Sequence, residues 1–236
     1  RTAANDTVGT ITAWVNCPEI ATTETIVGFG DKNAVEFIEF NIEAGLLTAR
    51  CTDATTAQFI SQADAVHIKP HQWTHVAVVQ AADGAGPKFY VNGVRIASTN
   101  DTNTDVNEWF NNCDGIDSGR IGAANKAGDD SVTQEFTGAI SDVKYYNTAL
   151  TDQNILDDYK GSHLTTGCIS WYDWDDDLID GVAGHNGTKV GDIVLNNAYS
   201  EFTSRLGFMT GTPVVADTVL FGVNQGQGHA VVIQAA

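Results

Sequence analysis

A chain of 236 residues is long enough to bury one large hydrophobic core. Its 30 acidic residues outnumber its 12 lysines and arginines, and the formal net charge of -18 argues against a basic surface that binds nucleic acid. No apolar run approaches the roughly 18 residues of a membrane-spanning helix, so we also expect no insertion into a bilayer.

The first hundred residues are typical of short antiparallel strands. Apolar and polar residues alternate over 10–15, and turn residues separate further candidate strands at 24–30, 34–42 and 46–51. A β-branched run at 72–79 follows, and then two short strands joined by Asn92-Gly93, a pair whose positive φ angles suit a tight hairpin turn. We expect the run and this hairpin to form the centre of an antiparallel sheet.

From residue 98 to 117 the composition shifts to Asn, Asp and Thr, which predicts a long polar loop. Two aromatic side chains lie in its middle. If they are exposed, they form a platform for a sugar ring, and neighbouring planar polar groups could bind its hydroxyls; alternatively, the two rings fix the loop to the core. The candidate ligand-binding residues are Trp109, Phe110, Asn111, Asn112 and Asp114.

Residues 150–161 form the one good helix candidate. Thr151 can cap its N-terminus, three apolar residues (Ile155, Leu156 and Tyr159) share a face, and Gly161 suits its C-terminal end.

The order of these motifs resembles the laminin G-like, concanavalin A-like jelly-roll domains. The segments that carry the resemblance are TITAWV (10–15), WTHVAV (73–78), YVNG (90–93), GRIG (119–122) and FTGAISDVKYYNTAL (136–150). The resemblance covers about residues 9 to 160. It implies an all-β fold, an antiparallel β-sandwich with one short helix, and a structural role for His75.

The C-terminal part resembles the opening of the same family. The matching segments are CISWYDWDDDLID (168–180) and GHNGT (184–188), whereas LFGVNQGQGHAVVI (220–233) resembles the strand that normally precedes residue 10. The resemblance therefore divides the chain into a body, 1–165, that lacks its first strands and a segment, 166–236, that consists of them.

Three arrangements follow from this order. The segment can complete its own body, as in a circular permutant. It can instead complete a neighbouring subunit, which makes copies of the chain its partners in a head-to-tail filament. The chain can also be a stretch cut from a tandem array across its repeat boundaries; because it begins at Arg1 without an apolar leader, we expect a processed or excised part of a longer protein.

Strand alternation places Glu39, Asn41 and Glu43 on one face. Retaining β-glucanases of the same broad class carry an E-x-D-x-E strand, in which two carboxylates flank the scissile bond about 5 Å apart. Here Asn41 replaces the central Asp. We therefore expect no catalysis, and keep a jelly-roll glycoside hydrolase that uses Glu39 and Glu43 as the alternative.

An acidic cluster at 173–180 is the best candidate for a metal site, because Ca²⁺ takes oxygen ligands from carboxylates, amides and carbonyls. The resemblance implies a structural Ca²⁺ near this opening loop and near the Asp of the closing strand. The candidate ligands are Asp142, Asp177, Asp180 and Asn186. The alternative is a solvated, charged loop.

The four cysteines, Cys17, Cys51, Cys113 and Cys168, allow three pairings if all are oxidised. Their even number favours an extracellular setting with one or two disulfides, whereas the alternative is four inert thiols. We expect a non-catalytic structural or adhesive subunit that is extracellular or lies on a cell or virion surface and binds glycans through its loops. A monomeric carbohydrate-binding module is a further alternative.

Overall fold

The computed structural model of the chain describes residues 6–113, 115–173, 178–182 and 184–189. These residues form strands and one short helix. In chain order they are β1 (Gly9–Asn16), β2 (Thr23–Gly30), β3 (Phe37–Glu43), β4 (Leu46–Asp53), β5 (Thr56–Ala63), β6 (Thr74–Gln80), β7 (Lys88–Val91), β8 (Val94–Ile96), β9 (Ser98–Asn103), β10 (Ser118–Ile121), β11 (Ala139–Tyr146), α1 (Asp152–Tyr159) and β12 (Cys168–Tyr172).

The described strands form two antiparallel sheets. The first sheet has the order β12-β11-β1-β6-β7-β8, and the second has the order β10-β2-β3-β4-β5-β9. The predicted hairpin is present between β7 and β8, where Asn92 and Gly93 have φ angles of 51° and 78°. The predicted β-sandwich with one short helix is confirmed. No helix in the described part of the chain is long and apolar enough to cross a membrane.

The edge strand β9 was not predicted, because residues 98–103 were expected to belong to a polar loop. They pair with β5 through their backbone. Most of their side chains are exposed, so the segment lacks the alternation of apolar and polar residues that marks a half-buried strand.

The core lies between the two sheets. Along β3, alternate residues Ile38, Phe40 and Ile42 face inward, and Ile11 and Val15 of β1 belong to the same buried cluster. Each large apolar side chain buried in this way contributes about 1.5–3 kcal/mol to stability.

The outer face of the first sheet is covered by α1. Ile155 of the helix packs with a second apolar cluster that contains Val79 and Tyr146. The predicted cap is confirmed, because the Thr151 side chain accepts a hydrogen bond from the Asn154 backbone N–H at 3.2 Å. The outer face of the second sheet has no such helix in the described part of the chain.

The C-terminal segment contributes one described strand to the first sheet. β12 pairs with β11 of the same chain, with Trp171 opposite Lys144 and Tyr172 opposite Val143. The predicted strand at 220–233 lies outside the described residues.

Candidate functional site

The outward row of β3 forms the centre of the site. Phe37, Glu39, Asn41 and Glu43 alternate with the core residues of this strand, as the sequence predicted for the last three. On β4, Arg50 lies opposite Glu39 and Thr48 lies opposite Asn41. These six residues are called the polar face below.

A loop between β10 and β11, residues 122–138, lies against the same side of the sheet. A Cβ atom added to Gly28 would come within 2.7 Å of the Ala123 carbonyl oxygen, and one added to Gly30 would collide with the Asn125 carbonyl oxygen. Gly28 is opposite Glu39, so both face outward. The absence of side chains at the two glycines therefore allows the loop to cross β2 and to bring Lys126 to the polar face.

The loop is held in place by its own hydrogen bonds. Ala124 and Thr133 exchange two backbone hydrogen bonds of 2.9 and 3.0 Å. Arg120 of β10 donates to the Ser131 carbonyl and to the Asp130 carboxylate, each at 2.6 Å. The loop is thus a defined border of the site.

Charges alternate across the polar face. Arg50 Nε lies 3.5 Å from Glu39 Oε1, and another nitrogen of the same guanidinium contacts the Glu43 carboxylate. Lys126 Nζ lies 3.4 Å from Glu39 Oε1. Burial raises the pKa of Glu39, and the opposing charges of Lys126 and Arg50 offset only part of this effect.

Several buried polar atoms of this site have no hydrogen-bond partner among the described residues. They are Glu39 Oε2, both amide atoms of Asn41, Arg50 Nε and the hydroxyl of Thr25, which lies opposite Asn41 on β2. The side chain of Asn41 is fully buried, and Glu39 is 1 % exposed. A buried polar group without a partner costs about 1–3 kcal/mol, so a cluster of them is unusual unless a ligand or ion uses it.

An aromatic side chain, Phe37, lies on the same face of β3, two residues before Glu39. Phe37 is half-buried, and Lys126 Nζ lies above its ring, 5.5 Å from the centroid. On the other side of Asn41, Gln62 of β5 donates a hydrogen bond to the Thr48 hydroxyl at 3.0 Å. The site therefore combines an aromatic ring with donors and acceptors, as a sugar-binding surface requires.

The two aromatic residues of the predicted ligand-binding loop lie in the core instead. Trp109 is 2 % exposed and Phe110 is 3 % exposed, and Phe110 makes an edge contact with Phe29 at 4.8 Å between ring centroids. Neither ring can form an exposed platform, because both fill the space between the sheets. The alternative prediction, that they fix the loop to the core, describes the structure.

The other three candidate ligand-binding residues of this loop do not form a defined site in the described part of the chain. Asn111 is half-buried and Asn112 is exposed, and the two amides hydrogen-bond to each other. Asp114 lies outside the described residues. Glycan contact by Asn111 and Asn112 stays a prediction.

The carboxylate of Asp142, a predicted calcium ligand, accepts hydrogen bonds from two other side chains. The Trp171 indole N–H donates to its Oδ1 at 2.6 Å, and Lys144 Nζ donates to its Oδ2 at 2.7 Å. An ammonium group thus already contacts this carboxylate, and calcium binding by Asp142 stays a prediction. The acidic side chain joins β11 to β12.

Two other predicted ligands, Asp180 and Asn186, are close together but are also satisfied by protein groups. Asp180 Oδ1 accepts from the backbone N–H groups of Trp171 at 2.9 Å and Val182 at 3.0 Å, and Asn186 Oδ1 accepts from the Asp180 N–H at 3.1 Å. The described residues contain no group of three or more His, Cys, Asp and Glu that could hold a metal ion. Asp177 lies outside them, and calcium binding by the acidic cluster stays a prediction.

Two of the four cysteines are neighbours. The sulfur atoms of Cys51 on β4 and Cys113 in the β9–β10 loop are 3.5 Å apart, and both residues are buried. Cys17 is buried and Cys168 is half-buried, and all four are free thiols in the structure. The predicted disulfides stay a prediction, with Cys51 and Cys113 as the pair that the fold brings together.

Sequence reasoning missed Phe37, Thr48 and Arg50 of the polar face, and Lys126 beside it. Phe37 shares the alternation of Glu39 and Asn41, so the period of two could have identified it. Arg50 and Lys126 carried no such signal, because their positions depend on the register of β4 and on how the loop crosses β2.

Comparisons with known proteins support this architecture. A laminin G family model, described as the concanavalin A-like lectin/glucanases superfamily, matches residues 2–156. No curated protein sequence matches the chain significantly.

Solved structures of the same fold are distant in sequence. The CBM40 module of the Ruminococcus gnavus IT-sialidase bound to α2,3-sialyllactose is 15 % identical with a TM-score of 0.53, over 64 % of this chain and 82 % of that one. A second structure of that module has 16 % identity and a TM-score of 0.55, over 67 % and 85 %. The heptameric SAP-like pentraxin of Limulus polyphemus is 15 % identical with a TM-score of 0.50, over 77 % and 85 %. By its family match and its fold, the chain belongs to the concanavalin A-like lectin/glucanases superfamily.

Proposed function

We propose that this protein binds glycans through the polar face of its second sheet and does not cleave them. The observation that carries the proposal is the row of Phe37, Glu39 and Asn41, in which an aromatic ring adjoins buried polar atoms without partners. Sugar hydroxyls both donate and accept hydrogen bonds and can satisfy such atoms, while the apolar face of a sugar ring can lie against Phe37.

The neighbouring structures support a binding role. One of them is a module of a sialidase that was solved with a bound oligosaccharide. Because glycans of this kind are displayed outside cells, we further propose that the protein is extracellular or lies on a cell or particle surface.

The non-catalytic part of the proposal is supported by Arg50. A retaining glycosidase needs two carboxyl groups about 5–5.5 Å apart, with the glycosidic bond between them. Here one guanidinium contacts both Glu39 and Glu43, and Asn41 occupies the central position. A reducing-sugar assay tests this: we expect no release by the wild type, and activity that is lost in both Glu39→Gln and Glu43→Gln would overturn it.

Binding is tested on a glycan array with wild type and Asn41→Ala. The side chain of Asn41 makes no described hydrogen bond that the fold would lose, so we expect a folded variant whose binding is at least about tenfold weaker. Thr12→Val is the matched control, because it removes a buried, unpartnered hydroxyl from the first sheet. Binding by Asn41→Ala equal to that of the wild type would exclude the polar face.

The same array tests the loop that the sequence singled out. Asn112→Ala alters an exposed residue of that loop and leaves the polar face intact. A loss of binding in this variant alone would show that the glycan binds to the loop and not to the polar face.

Self-assembly and calcium binding remain secondary proposals. Because β12 already pairs within its own chain, head-to-tail exchange of this strand requires it to detach from β11. Light scattering with and without Ca²⁺ distinguishes the cases: a 25.1 kDa monomer supports a binding module, and open-ended assemblies support donation of strands between subunits.

A further inference from the structure

The cations over the polar face are already paired. Arg50 contacts Glu39 and Glu43, Lys126 contacts Glu39, and Arg120 contacts Asp130. Three positive side chains thus meet three carboxylates, and their charges cancel. A negatively charged ligand would find no uncompensated charge among these groups, and it would also meet a chain whose formal net charge is -18.

The unpartnered atoms specify what a ligand must offer. Glu39 Oε2 needs a donor, Arg50 Nε needs an acceptor, Asn41 needs both, and the Thr25 hydroxyl can do either. Neighbouring hydroxyl groups of a sugar meet all of these requirements. A ligand carboxylate cannot, because it only accepts and because the Glu39 carboxylate repels it.

Two long side chains control access to these atoms. Arg50 and Lys126 contact Glu39, and each is 26 % exposed, so their charged ends can turn toward solvent without leaving the protein surface. Lys126 also lies over the Phe37 ring. Entry of a sugar therefore requires Lys126 to move aside, which uncovers Phe37 and Glu39 together.

We infer that the polar face selects uncharged glycans, which it holds through neighbouring hydroxyl groups, over glycans that carry a carboxylate. The inference rests on the proposed function and concerns only the class of ligand. It differs from the sialyllactose of the structural neighbour, whose terminal sugar carries a carboxylate.

The test uses pairs of immobilised oligosaccharides that differ only in a terminal sialic acid, with lactose and α2,3-sialyllactose as the first pair. For the wild type we expect the neutral member of a pair to bind at least about tenfold more tightly than the acidic member. Glu43→Gln releases Arg50 from one of its two carboxylates, so we expect the preference for the neutral member to fall several-fold. Glu39→Gln should act in the same direction and should also weaken binding of the neutral member.

Asp101→Asn is the charge-matched control, because it removes one exposed carboxylate from the edge strand β9 and should leave the preference unchanged. Glu43 is partly exposed, so Glu43→Gln remains informative even if Glu39→Gln fails to fold. Preferential binding of the acidic member, or a preference that Glu43→Gln does not change, would overturn this inference while leaving glycan binding in place. Failure of every glycan on the array to bind would overturn the proposed function as well.

Discussion

His75 and Asp158 are joined by a hydrogen bond of 3.1 Å between Nε2 and Oδ2, and each side chain is only 1 % exposed. Lys144 donates to the other oxygen of the same carboxylate at 2.9 Å. The rings of Trp14 and Tyr159 lie 5.4 and 5.9 Å from the His75 ring. One carboxylate of α1 therefore connects the helix to β6 and β11, which gives His75 the structural role that the resemblance implied.

Replacing this carboxylate should destabilise the fold strongly. Asp158→Asn leaves Lys144 buried with one fewer compensating charge, and we expect a loss of about 3–5 kcal/mol in the free energy of unfolding, measured by urea titration. Asp157→Asn is the control on the same helix, because Asp157 only accepts from Gln153 at the surface. Equal urea midpoints for Asp158→Asn and the wild type would contradict a structural role.

The carboxylate of Asp158 should also make the stability of the protein depend on pH. Burial by itself raises the pKa of Asp158, but the hydrogen bond from His75 and the charge of Lys144 outweigh it, so the pKa lies below its usual range. The contribution to stability is therefore complete above the ordinary Asp pKa of about 3.9, and it is lost as the pH falls through the lowered value of the folded state. We expect the difference in unfolding free energy between wild type and Asp158→Asn to be smaller at about pH 3 than at pH 7. A difference that does not change with pH would show that the ion pair contributes little.

The Asn41→Ala variant should lose glycan binding without a large loss of stability. Because its buried amide has no described partner, Asn41→Ala removes an unsatisfied polar group, and this gain offsets the packing that is lost with a fully buried side chain. We expect its unfolding free energy to lie within about 1 kcal/mol of the wild type in the same urea titration. A loss of several kcal/mol would show that Asn41 serves the fold and would remove it from the site.

Cys51 and Cys113 should cross-link during folding and not afterwards. The neighbouring Cys113 thiol and burial both raise the pKa of Cys51, so little thiolate is available in the folded protein. We expect reduced, folded protein to resist oxidised glutathione, and protein refolded in its presence to carry this disulfide, as mass spectrometry of peptides would show. With a sequence separation of 62 between the two positions, the cross-link should add about 4 kcal/mol to stability.

Two variants control this experiment. Cys168→Ser should leave the cross-link in place, whereas Cys113→Ser should abolish it. A disulfide between Cys51 and any other cysteine would contradict the pairing.

The periodicity of the strands made much of the fold predictable. The alternation in β3 predicted correctly that Glu39, Asn41 and Glu43 share a face, because successive side chains of a strand point to opposite faces of the sheet. The Asn92-Gly93 turn followed from backbone conformation alone.

The environment of these residues could not be predicted in the same way. An aromatic residue in a polar loop can face solvent or the core, and only the space between the sheets decides that Trp109 is buried. The ion pair of Arg50 with Glu39 depends on the register between two strands, and Asp142 pairs with a lysine two residues away that also reaches Asp158.

The position of β12 has a consequence for synthesis. Ribosomes make β11 and α1 before β12, so one edge of β11 carries unpaired backbone groups until residue 172 has emerged. Such an edge can pair with any nearby chain. A nascent or prematurely terminated product is therefore exposed to pairing along β11, and completion of the five-residue strand β12 covers that edge; β12 is then the edge strand among the described residues.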